Sequence, residues 1–329
     1  MIEQYIFHLI LISISLIVIR FRSPLSNYLK IIDYPDNTRK LHSKPTSCIG
    51  GLIIFSYASS SLIYSNFLNY LSTKYLFIWL LMFVYFFIVG IVDDRNHLNA
   101  RIKTFFLLIF LFIVLPLDHN FSIHFLKFED IPYLIKLNQG SLYFTIFCIF
   151  FLYNALNFCD GANGVAISLS LFILGAIIHI TNIVNIFYIS LAISLLLLLI
   201  PNLLSKIFIG NSGVNLISII FSLIFINLYN ENNIFFDQIV LLVFLPSIDM
   251  IRVILERIVN NESPLKPDQN HLHHLLQKKI NAKYIFIPYL LFAITPYFLY
   301  TFFFTTYISI AIGIVIYFII FFLFKNKNA

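Results

Sequence analysis

Long apolar segments separated by short polar ones dominate the chain. Each apolar segment is long enough for a helix that crosses most or all of a bilayer. There are eleven, at residues 2–19, 49–67, 75–92, 104–117, 141–157, 165–181, 185–201, 214–229, 234–251, 284–303 and 307–324. The pattern predicts an all-α polytopic membrane protein with about 11 transmembrane helices. Because no polar linker divides the chain, we expect one integral-membrane domain over residues 1–329.

The basic residues predict how these helices are oriented. Eleven spans place the termini on opposite sides of the membrane. With the N-terminus outside, the inner loops hold eighteen lysines and arginines and the outer loops hold three, Lys74, Lys127 and Lys136. Basic residues accumulate in cytoplasmic loops, so the sequence predicts an N-out/C-in topology. In the outer segment 118–140, a partly alternating stretch predicts a short external strand or hairpin.

Composition agrees with a membrane protein. Only 11% of the residues are charged, 18% are aromatic, and the mean hydropathy is +0.91. The net charge of +6 is explained by the basic inner loops, so no nucleic-acid partner is expected. Arg20 and Arg22 follow the first apolar segment, which predicts a retained first helix rather than a cleaved signal peptide. The three cysteines show no spacing typical of disulfides or metal sites.

The polar residues gather at helix ends that the predicted topology places on the cytoplasmic side. They lie in the segments 92–95, 154–164, 208–213 and 268–274. This distribution predicts an active site that faces the cytoplasm and takes a charged, water-soluble substrate together with a lipid. Transporters instead keep ionisable groups near the middle of their spans, where this chain has almost none.

Asp93 and Asp94 end the third apolar segment. Adjacent carboxylates at a membrane boundary repel each other, and a divalent metal or a phosphate proton would relieve the repulsion. The alternative is a solvated helix end neutralised by Arg95. Arg101 and Lys103 follow in the same loop, where they are either phosphate ligands or simple markers of topology.

Two further segments combine amides with glycines before a new helix. Asn154, Asn157 and Asp160 are spaced to share a helix face, after which Gly161 and Gly164 break the helix. Residues 208–213 repeat this plan. Backbone N–H groups at a helix start hold anionic oxygens, so both segments predict phosphate or carbonyl binding. Phe208 offers a face for a flat base, although a lone aromatic is more often part of a core.

Three histidines, His271, His273 and His274, follow Asp268. This set has the composition of a zinc site. It equally suits hydrogen bonding and hard-cation chemistry around a diphosphate.

Taken together and in order, these motifs resemble the polyprenyl-phosphate N-acetylhexosamine-1-phosphate transferases, and in particular the bacterial undecaprenyl-phosphate branch related to the phospho-MurNAc-pentapeptide translocase. The motifs occupy five inner loops: Asp33-Tyr-Pro35 through Arg39-Lys40 to Gly50-Gly51; Asp93-Asp94-Arg95 with Leu98, Arg101 and Lys103; Asn154 to Gly164; Phe208 and Gly210; and Pro246, Asp249, Ser263-Pro264, Asp268 and His271 to His274.

The resemblance implies Mg²⁺-dependent transfer of a HexNAc-1-phosphate from a UDP-sugar to undecaprenyl phosphate, with release of UMP, at the bacterial inner membrane. Mn²⁺ is an alternative to Mg²⁺. Such a reaction starts a surface glycan, for example in lipopolysaccharide or cell-wall biosynthesis. The implied partners are a UDP-N-acetylhexosamine, undecaprenyl phosphate and membrane lipids, with a homodimer left open.

The resemblance also implies residue roles. Its catalytic residues are Asp93, Asp94 and Asp160, and its Mg²⁺ ligands are Asn157 and Asn211. The implied substrate-binding residues are Lys44, Lys103, Asn163, Asn202, Phe208, His271, His273 and His274.

The chain departs from the family pattern mainly at position 211, where Asn211 replaces the usual aspartate. A neutral amide binds Mg²⁺ more weakly than a carboxylate does. Asn163 is another departure, shared with the dolichol branch, and the interval from Asn202 to Asn211 is one residue short. A catalytically silent member that binds the UDP-sugar or the lipid is therefore an alternative, and a lipid or solute transporter is a more distant one.

Overall fold

The computed structural model describes residues 2–35, 45–264 and 269–325. Across these ranges the chain is mostly α-helical, with two short antiparallel strand pairs, β1 (Ile32–Asp33) with β2 (Thr46–Ser47) and β3 (Phe125–Leu126) with β4 (Ile135–Lys136). The helices are α1 (Ile2–Arg20), α2 (Arg22–Leu29), α3 (Gly50–Phe67), α4 (Thr73–Asn96), α5 (Ala100–Val114), α6 (Ser141–Cys159), α7 (Val165–Thr181), α8 (Ile186–Leu203), α9 (Gly210–Asn230), α10 (Phe236–Leu242), α11 (Phe244–Val259), α12 (Leu272–Gln277), α13 (Phe286–Phe302) and α14 (Thr306–Lys325).

A helix occupies every apolar segment that the sequence predicts. Within the described ranges, eight helical segments are long and apolar enough to cross a membrane, and the bent pair α10–α11 would be a ninth. The all-α polytopic class is therefore confirmed. The total of eleven spans and the N-out/C-in orientation stay predictions, since α3 falls outside this set and α7 has only 17 residues.

The segment 234–251, predicted as one helix, is broken. α10 and α11 meet at Val243 with a bend of 78°. Pro246 lies in the first turn of α11. Proline lacks the N–H that a continuous helix would bond to the carbonyl four residues earlier, but it is tolerated in a first turn. The proline was therefore the sequence signal for this break.

The predicted hairpin in segment 118–140 is confirmed as the pair β3–β4. Its backbone is anchored by Tyr229, whose hydroxyl accepts a hydrogen bond from the Lys127 N–H at 2.6 Å and donates one to the Phe125 carbonyl at 2.8 Å. The Glu129 N–H donates to the buried carboxylate of Asp237, which also accepts from the Thr306 hydroxyl. These bonds satisfy polar groups that the hairpin would otherwise leave unpaired.

The chain forms two compact units, each built from two stretches of sequence. Unit 1 contains Met1–Asn99 and Ile177–Ile220, and unit 2 contains Ala100–Ala176 and Phe221–Ala329. In unit 1, α3 packs against α1, α4 and α8. In unit 2, α6 packs against α11, and α13 against α14.

Backbone hydrogen bonds join three segments of unit 1 ahead of α9. Ser47 of β2 forms a parallel bridge with Ile207, and its carbonyl accepts the Phe208 N–H at 2.8 Å. The N–H groups of Gly50 and Gly51 donate to the carbonyls of Phe208 and Ile209. The start of α3 and the start of α9 are thereby held side by side.

The charge-based topology can be tested with single cysteines. We expect Gln269→Cys, in the segment before α12, to react with an impermeant maleimide only after the membrane is opened. Tyr133→Cys lies in the opposite predicted loop and should react in intact cells, because Tyr133 is exposed.

The parent protein gives the background, since its three cysteines are buried or half-buried. Labelling of Gln269→Cys in intact cells, under conditions where Tyr133→Cys stays unlabelled, would reverse the topology.

Candidate active site

The carboxylate of Asp94 closes the start of α9. Its Oδ1 accepts the backbone N–H of Asn211 at 2.7 Å and the side-chain amide of Asn211 at 3.1 Å, and its Oδ2 accepts the Ser212 N–H at 3.1 Å. The first N–H groups of a helix lack carbonyl partners within the helix, and a negative charge there also meets the positive end of its dipole. Asp94 is thus bound to the N-terminus of α9.

Gly210 makes this approach feasible. Its φ is +69°, a value that side chains other than glycine rarely adopt, and a Cβ at this position would lie 2.7 Å from Oδ2 of Asp94. Glycine therefore lets the carboxylate reach the N–H groups of α9. The glycine of the predicted Phe208–Gly213 motif contributes space and backbone geometry rather than a ligand atom.

Asp93 is more buried than its neighbour. It is 7% exposed, and its Oδ1 accepts the Leu98 N–H at 2.8 Å across the end of α4. Arg95 is exposed, and the carboxylate of Asp94 is held by N–H groups instead. The alternative of a solvated helix end neutralised by Arg95 is therefore wrong for this pair.

Asn202 and Phe208, both predicted to bind substrate, flank the turn between α8 and α9. Asn202 is buried, and its amide donates to the Ile207 carbonyl at 3.1 Å, which stabilises the turn. Phe208 is half-buried, with its backbone bonded to Ser47 and Gly50. Asn202 thus has a structural task, whereas the ring of Phe208 keeps an accessible side.

In unit 2, Asn154 and Asn157 lie on the last turns of α6. Each donates its amide N–H to the carbonyl four residues earlier, Phe150 and Tyr153, at 2.7 Å. Because the nitrogen is used, each amide has its oxygen left to meet a ligand. Lys103 of α5 lies over the ring of Tyr153, 5.4 Å from its centroid.

The predicted break after Asp160 is confirmed. α6 ends at Cys159, Asp160 caps it, and α7 starts at Val165 after Gly164, which has φ +79°. Asp160 and Asn163 are half-buried within this turn.

The histidine segment packs against this turn through Gly161. The Gly161 carbonyl accepts the amide of Gln277 at 3.2 Å, and a Cβ on Gly161 would overlap with Nε2 of His273. Two of the predicted site segments of unit 2 are thereby brought together.

His271 is held from several sides. Its Nδ1 is 2.9 Å from Oδ2 of Asp249, and its ring lies 5.1 Å from that of Phe158 and parallel to that of His273 at 5.7 Å. Asp249 occurs in the family motif, but the sequence assigned it no role. The distance of 22 residues between this pair carries no sequence signal.

Burial disfavours the charged form of His273. This residue is 1% exposed, and burial lowers its pKa well below the ordinary value, with a further lowering by the neighbouring imidazoles of His274 and His271. Both of its ring nitrogens lack a hydrogen-bond partner within the described part of the chain. His274 is less buried, and its Nδ1 is 3.0 Å from Oε1 of Gln277.

Amide oxygens are present that could meet a hard cation such as Mg²⁺. Across residues 2–35, 45–264 and 269–325, no group of three His, Cys, Asp or Glu side chains is arranged to hold a metal ion. Asn157 and Asn211 each use their amide nitrogen in a hydrogen bond, which leaves oxygen, the donor that Mg²⁺ prefers. Lys44 and Asp268, the remaining predicted residues, lie outside the described residues.

Helices that are long and apolar enough to cross a membrane define a polytopic all-α membrane protein, with polar clusters at several helix ends. The family model for glycosyl transferase family 4 matches residues 76–229. Over these residues the chain is similar to this family.

Three relatives show how far the similarity extends. A probable undecaprenyl-phosphate N-acetylglucosaminyl 1-phosphate transferase of Bacillus subtilis is 26% identical over 80% of this chain and 75% of its own. A decaprenyl-phosphate N-acetylglucosaminephosphotransferase of Mycobacterium leprae is 25% identical over 77% of this chain and 71% of its own. A phospho-N-acetylmuramoyl-pentapeptide-transferase of Rickettsia prowazekii is 34% identical, over 46% of this chain and 44% of its own.

The close contact between Gly161 and His273 leaves no room for a methyl group on residue 161. We expect Gly161→Ala to displace the buried ring of His273 and to destabilise the protein by about 1–3 kcal/mol, as overpacking does in other cores. The measurement is the thermal unfolding midpoint in detergent.

Gly175→Ala is the matched control, because nothing lies within 4 Å of a Cβ at that position in α7. Its midpoint should be unchanged or higher. Equal midpoints for Gly161→Ala and the parent protein would contradict the packing described here.

Proposed function

We propose that this protein transfers a HexNAc-1-phosphate from a UDP-HexNAc to undecaprenyl phosphate, with release of UMP, on the cytoplasmic face of the bacterial plasma membrane. One observation carries the proposal. The stretch that matches the glycosyl transferase family, residues 76–229, contains both the Asp94–Asn211 contact and the amide face of α6. The named activities of the relatives agree with it.

The residues of unit 2 suit a diphosphate. The turn after α6 and the histidine segment are packed together through Gly161. His271 and His274 have fixed rings with nitrogens that can donate to phosphate oxygens, and Asp160 adds a carboxylate for proton transfer. Phosphoryl transfer depends mainly on positioning and charge neutralisation, which rigid side chains supply.

Mg²⁺ is the proposed cofactor, with Mn²⁺ as an alternative. The resemblance implies the amide oxygens of Asn157 and Asn211 as its protein ligands, in addition to substrate phosphates. When bound, the ion neutralises phosphate charge. Asp93, fixed by the Leu98 N–H, is the carboxylate that we assign to the lipid phosphate, since the oxygens of Asp94 are already bonded to α9.

An apolar cavity in unit 2 suits the lipid chain of the acceptor. It has a volume of about 300 Å³, and aromatic residues of α6, α9 and α10 line much of it, among them Phe144, Phe147, Phe151, Phe225 and Phe236. Isoprenoid chains are purely apolar, and the mostly aromatic and aliphatic lining of this cavity matches them.

The transferase activity can be tested by UMP release from membranes supplied with UDP-N-acetylglucosamine, undecaprenyl phosphate and Mg²⁺. We expect release that depends on all three. Asp160→Asn should lower the rate roughly 100-fold or more, the usual loss when an acid–base group is removed.

Asp130→Asn is the control, because Asp130 is an exposed aspartate of the β3–β4 hairpin and should keep the parent rate. Absence of UMP release by a folded parent protein with any UDP-HexNAc would reject the transferase proposal.

A second candidate function is a silent family member that binds the UDP-sugar or the lipid without turnover. The observation that favours it is the hydrogen bond from the Asn211 amide to Asp94. An aspartate at position 211 would repel the Asp94 carboxylate unless the two carboxylates shared a cation, whereas Asn211 needs no cation there. Tight binding of UDP-N-acetylglucosamine without UMP release would identify this case.

Asn211→Asp tests the proposed metal position. The substitution replaces the N–H donor 3.1 Å from Oδ1 of Asp94 by a second carboxylate. Without divalent cations we expect a loss of about 1.5–3 kcal/mol, the contribution typical of a hydrogen bond to a charged group. Mg²⁺ should restore the stability and reach its half-maximal effect on the rate at a lower concentration than in the parent protein.

The control is Asn96→Asp, which adds the same charge at an exposed position of α4. It should leave the Mg²⁺ dependence unchanged. A variant Asn211→Asp that Mg²⁺ does not stabilise would remove position 211 from the metal site.

A further inference from the structure

Asp249 of α11 lies at the centre of a buried network in unit 2. It is 3% exposed, and both of its oxygens are fully engaged. Oδ2 is 2.9 Å from Nδ1 of His271, while Oδ1 accepts from Arg252 at 2.8 Å and from the Tyr317 hydroxyl at 2.7 Å. The backbone N–H of Leu272 donates to the same carboxylate at 3.1 Å.

This network selects one protonation pattern for His271. A carboxylate only accepts hydrogen bonds, so Nδ1 of His271 must carry the proton. A neutral ring then has only the lone pair of Nε2, which accepts, whereas a ring that is also protonated at Nε2 donates from that nitrogen to a phosphate oxygen. Phe158 and His273 fix the plane of the ring from two further sides.

Tyr317 of α14 ties the carboxylate to its cation. Its hydroxyl accepts the Nε–H of Arg252 at 2.6 Å and donates its own proton to Asp249. Arg252 also donates to Glu256 at 2.8 Å and to the Asn270 carbonyl at 2.6 Å, and its guanidinium lies over the ring of Phe321. The hydroxyl of Tyr317 is therefore the only oxygen in this group that both accepts and donates.

A buried ion pair adds little stability compared with apolar residues of the same shape, and removing one partner is strongly destabilising. Phenylalanine at position 317 would preserve the apolar character of α14 and leave the ion pair intact. The hydroxyl of Tyr317 therefore fixes the orientation of the Asp249 carboxylate. It donates to Oδ1, which leaves Oδ2 directed at Nδ1 of His271.

We propose that Asp249 and Tyr317 are positioning residues for His271, which they hold with Nδ1 protonated and Nε2 directed to the diphosphate of the donor substrate. This inference rests on the proposed function for the identity of the ligand. It extends the site to α14, a helix that carries none of the predicted site residues.

Tyr317→Phe removes the hydroxyl and keeps the ring. We expect the KM for the UDP-sugar to rise roughly three- to tenfold, the range for one buried hydrogen bond, with an unchanged KM for undecaprenyl phosphate. Loss of packing alone would not separate the two substrates. Asp249→Asn is less suitable as the first variant, because it would leave Arg252 buried without its counter-charge.

Tyr289→Phe is the matched control. Tyr289 of α13 is as buried as Tyr317, at 1% and 2% exposure, and its hydroxyl has no hydrogen-bond partner among the residues that the structure describes. Both KM values should stay at the parent level. An unchanged KM for the UDP-sugar in Tyr317→Phe, or an equal rise in Tyr289→Phe, would overturn the proposal.

A second measurement does not require turnover. In ¹⁵N-histidine-labelled protein, the signals lost in His271→Gln identify His271. We expect a proton on Nδ1 in both proteins, with a faster exchange of this proton with solvent in Tyr317→Phe, because the Asp249 carboxylate that accepts it is less firmly held. If the expected NMR difference is seen but the parent protein releases no UMP, the transferase function is rejected while the positioning role of Tyr317 is supported. An unaltered exchange rate of the Nδ1 proton in Tyr317→Phe would reject the positioning role, whatever the activity.

Discussion

The N–H groups that begin α9 are the constraint on which unit 1 depends. The first N–H groups of a helix have no carbonyl partner within the helix, so other atoms have to accept their hydrogen bonds. The Asp94 carboxylate accepts those of Asn211 and Ser212, and the positive φ of Gly210 lets it come close enough. The backbone bonds from Gly50 and Gly51 to residues 208 and 209 hold the same turn from the side of α3. The carboxylate of Asp94, to which the family motif assigns a catalytic role, thus also caps a helix.

Unit 2 also contains buried polar groups that need hydrogen-bond partners, and different residues supply them. Here a buried carboxylate, Asp249, is compensated by Arg252, by the Tyr317 hydroxyl and by a backbone N–H. For His273, by contrast, burial lowers the pKa, and neither ring nitrogen has a hydrogen-bond partner among the residues that the structure describes. The two histidines are neighbours in sequence and parallel in space, yet only His271 is connected to a charged network.

Hydrophobic pattern and glycine placement predict the helices well, since both act locally. Every apolar segment contains a helix, the break at Gly161 and Gly164 is where the sequence places it, and the β3–β4 hairpin follows from alternation. The bend at Val243 was missed although Pro246 signals it, because the apolar run continues through it.

Site residues with distant partners were less accessible from the sequence. The resemblance to a family pointed to Asp94 and Asn211, but not to the hydrogen bond between them, which joins residues 117 positions apart. The hydrogen bond by which Asn202 stabilises a turn was likewise not predicted, and its assignment to substrate stays a prediction. Tyr317 is one of 19 tyrosines, and nothing in its local sequence distinguishes it from the others. Such roles are set by tertiary packing, which a local pattern does not encode.

The last turn of α14 touches the segment that carries the histidines. Lys279 donates to the Leu323 carbonyl at 3.2 Å and lies over the ring of Phe324, while Lys325 pairs with Glu256 at 3.2 Å. Glu256 in turn bonds Arg252. A purification tag or fluorescent fusion joined after α14 would therefore disturb the contacts of the side chains that orient His271. One joined before α1 would lie next to unit 1 instead. Anyone expressing this protein has a structural reason to place the tag at the N-terminus.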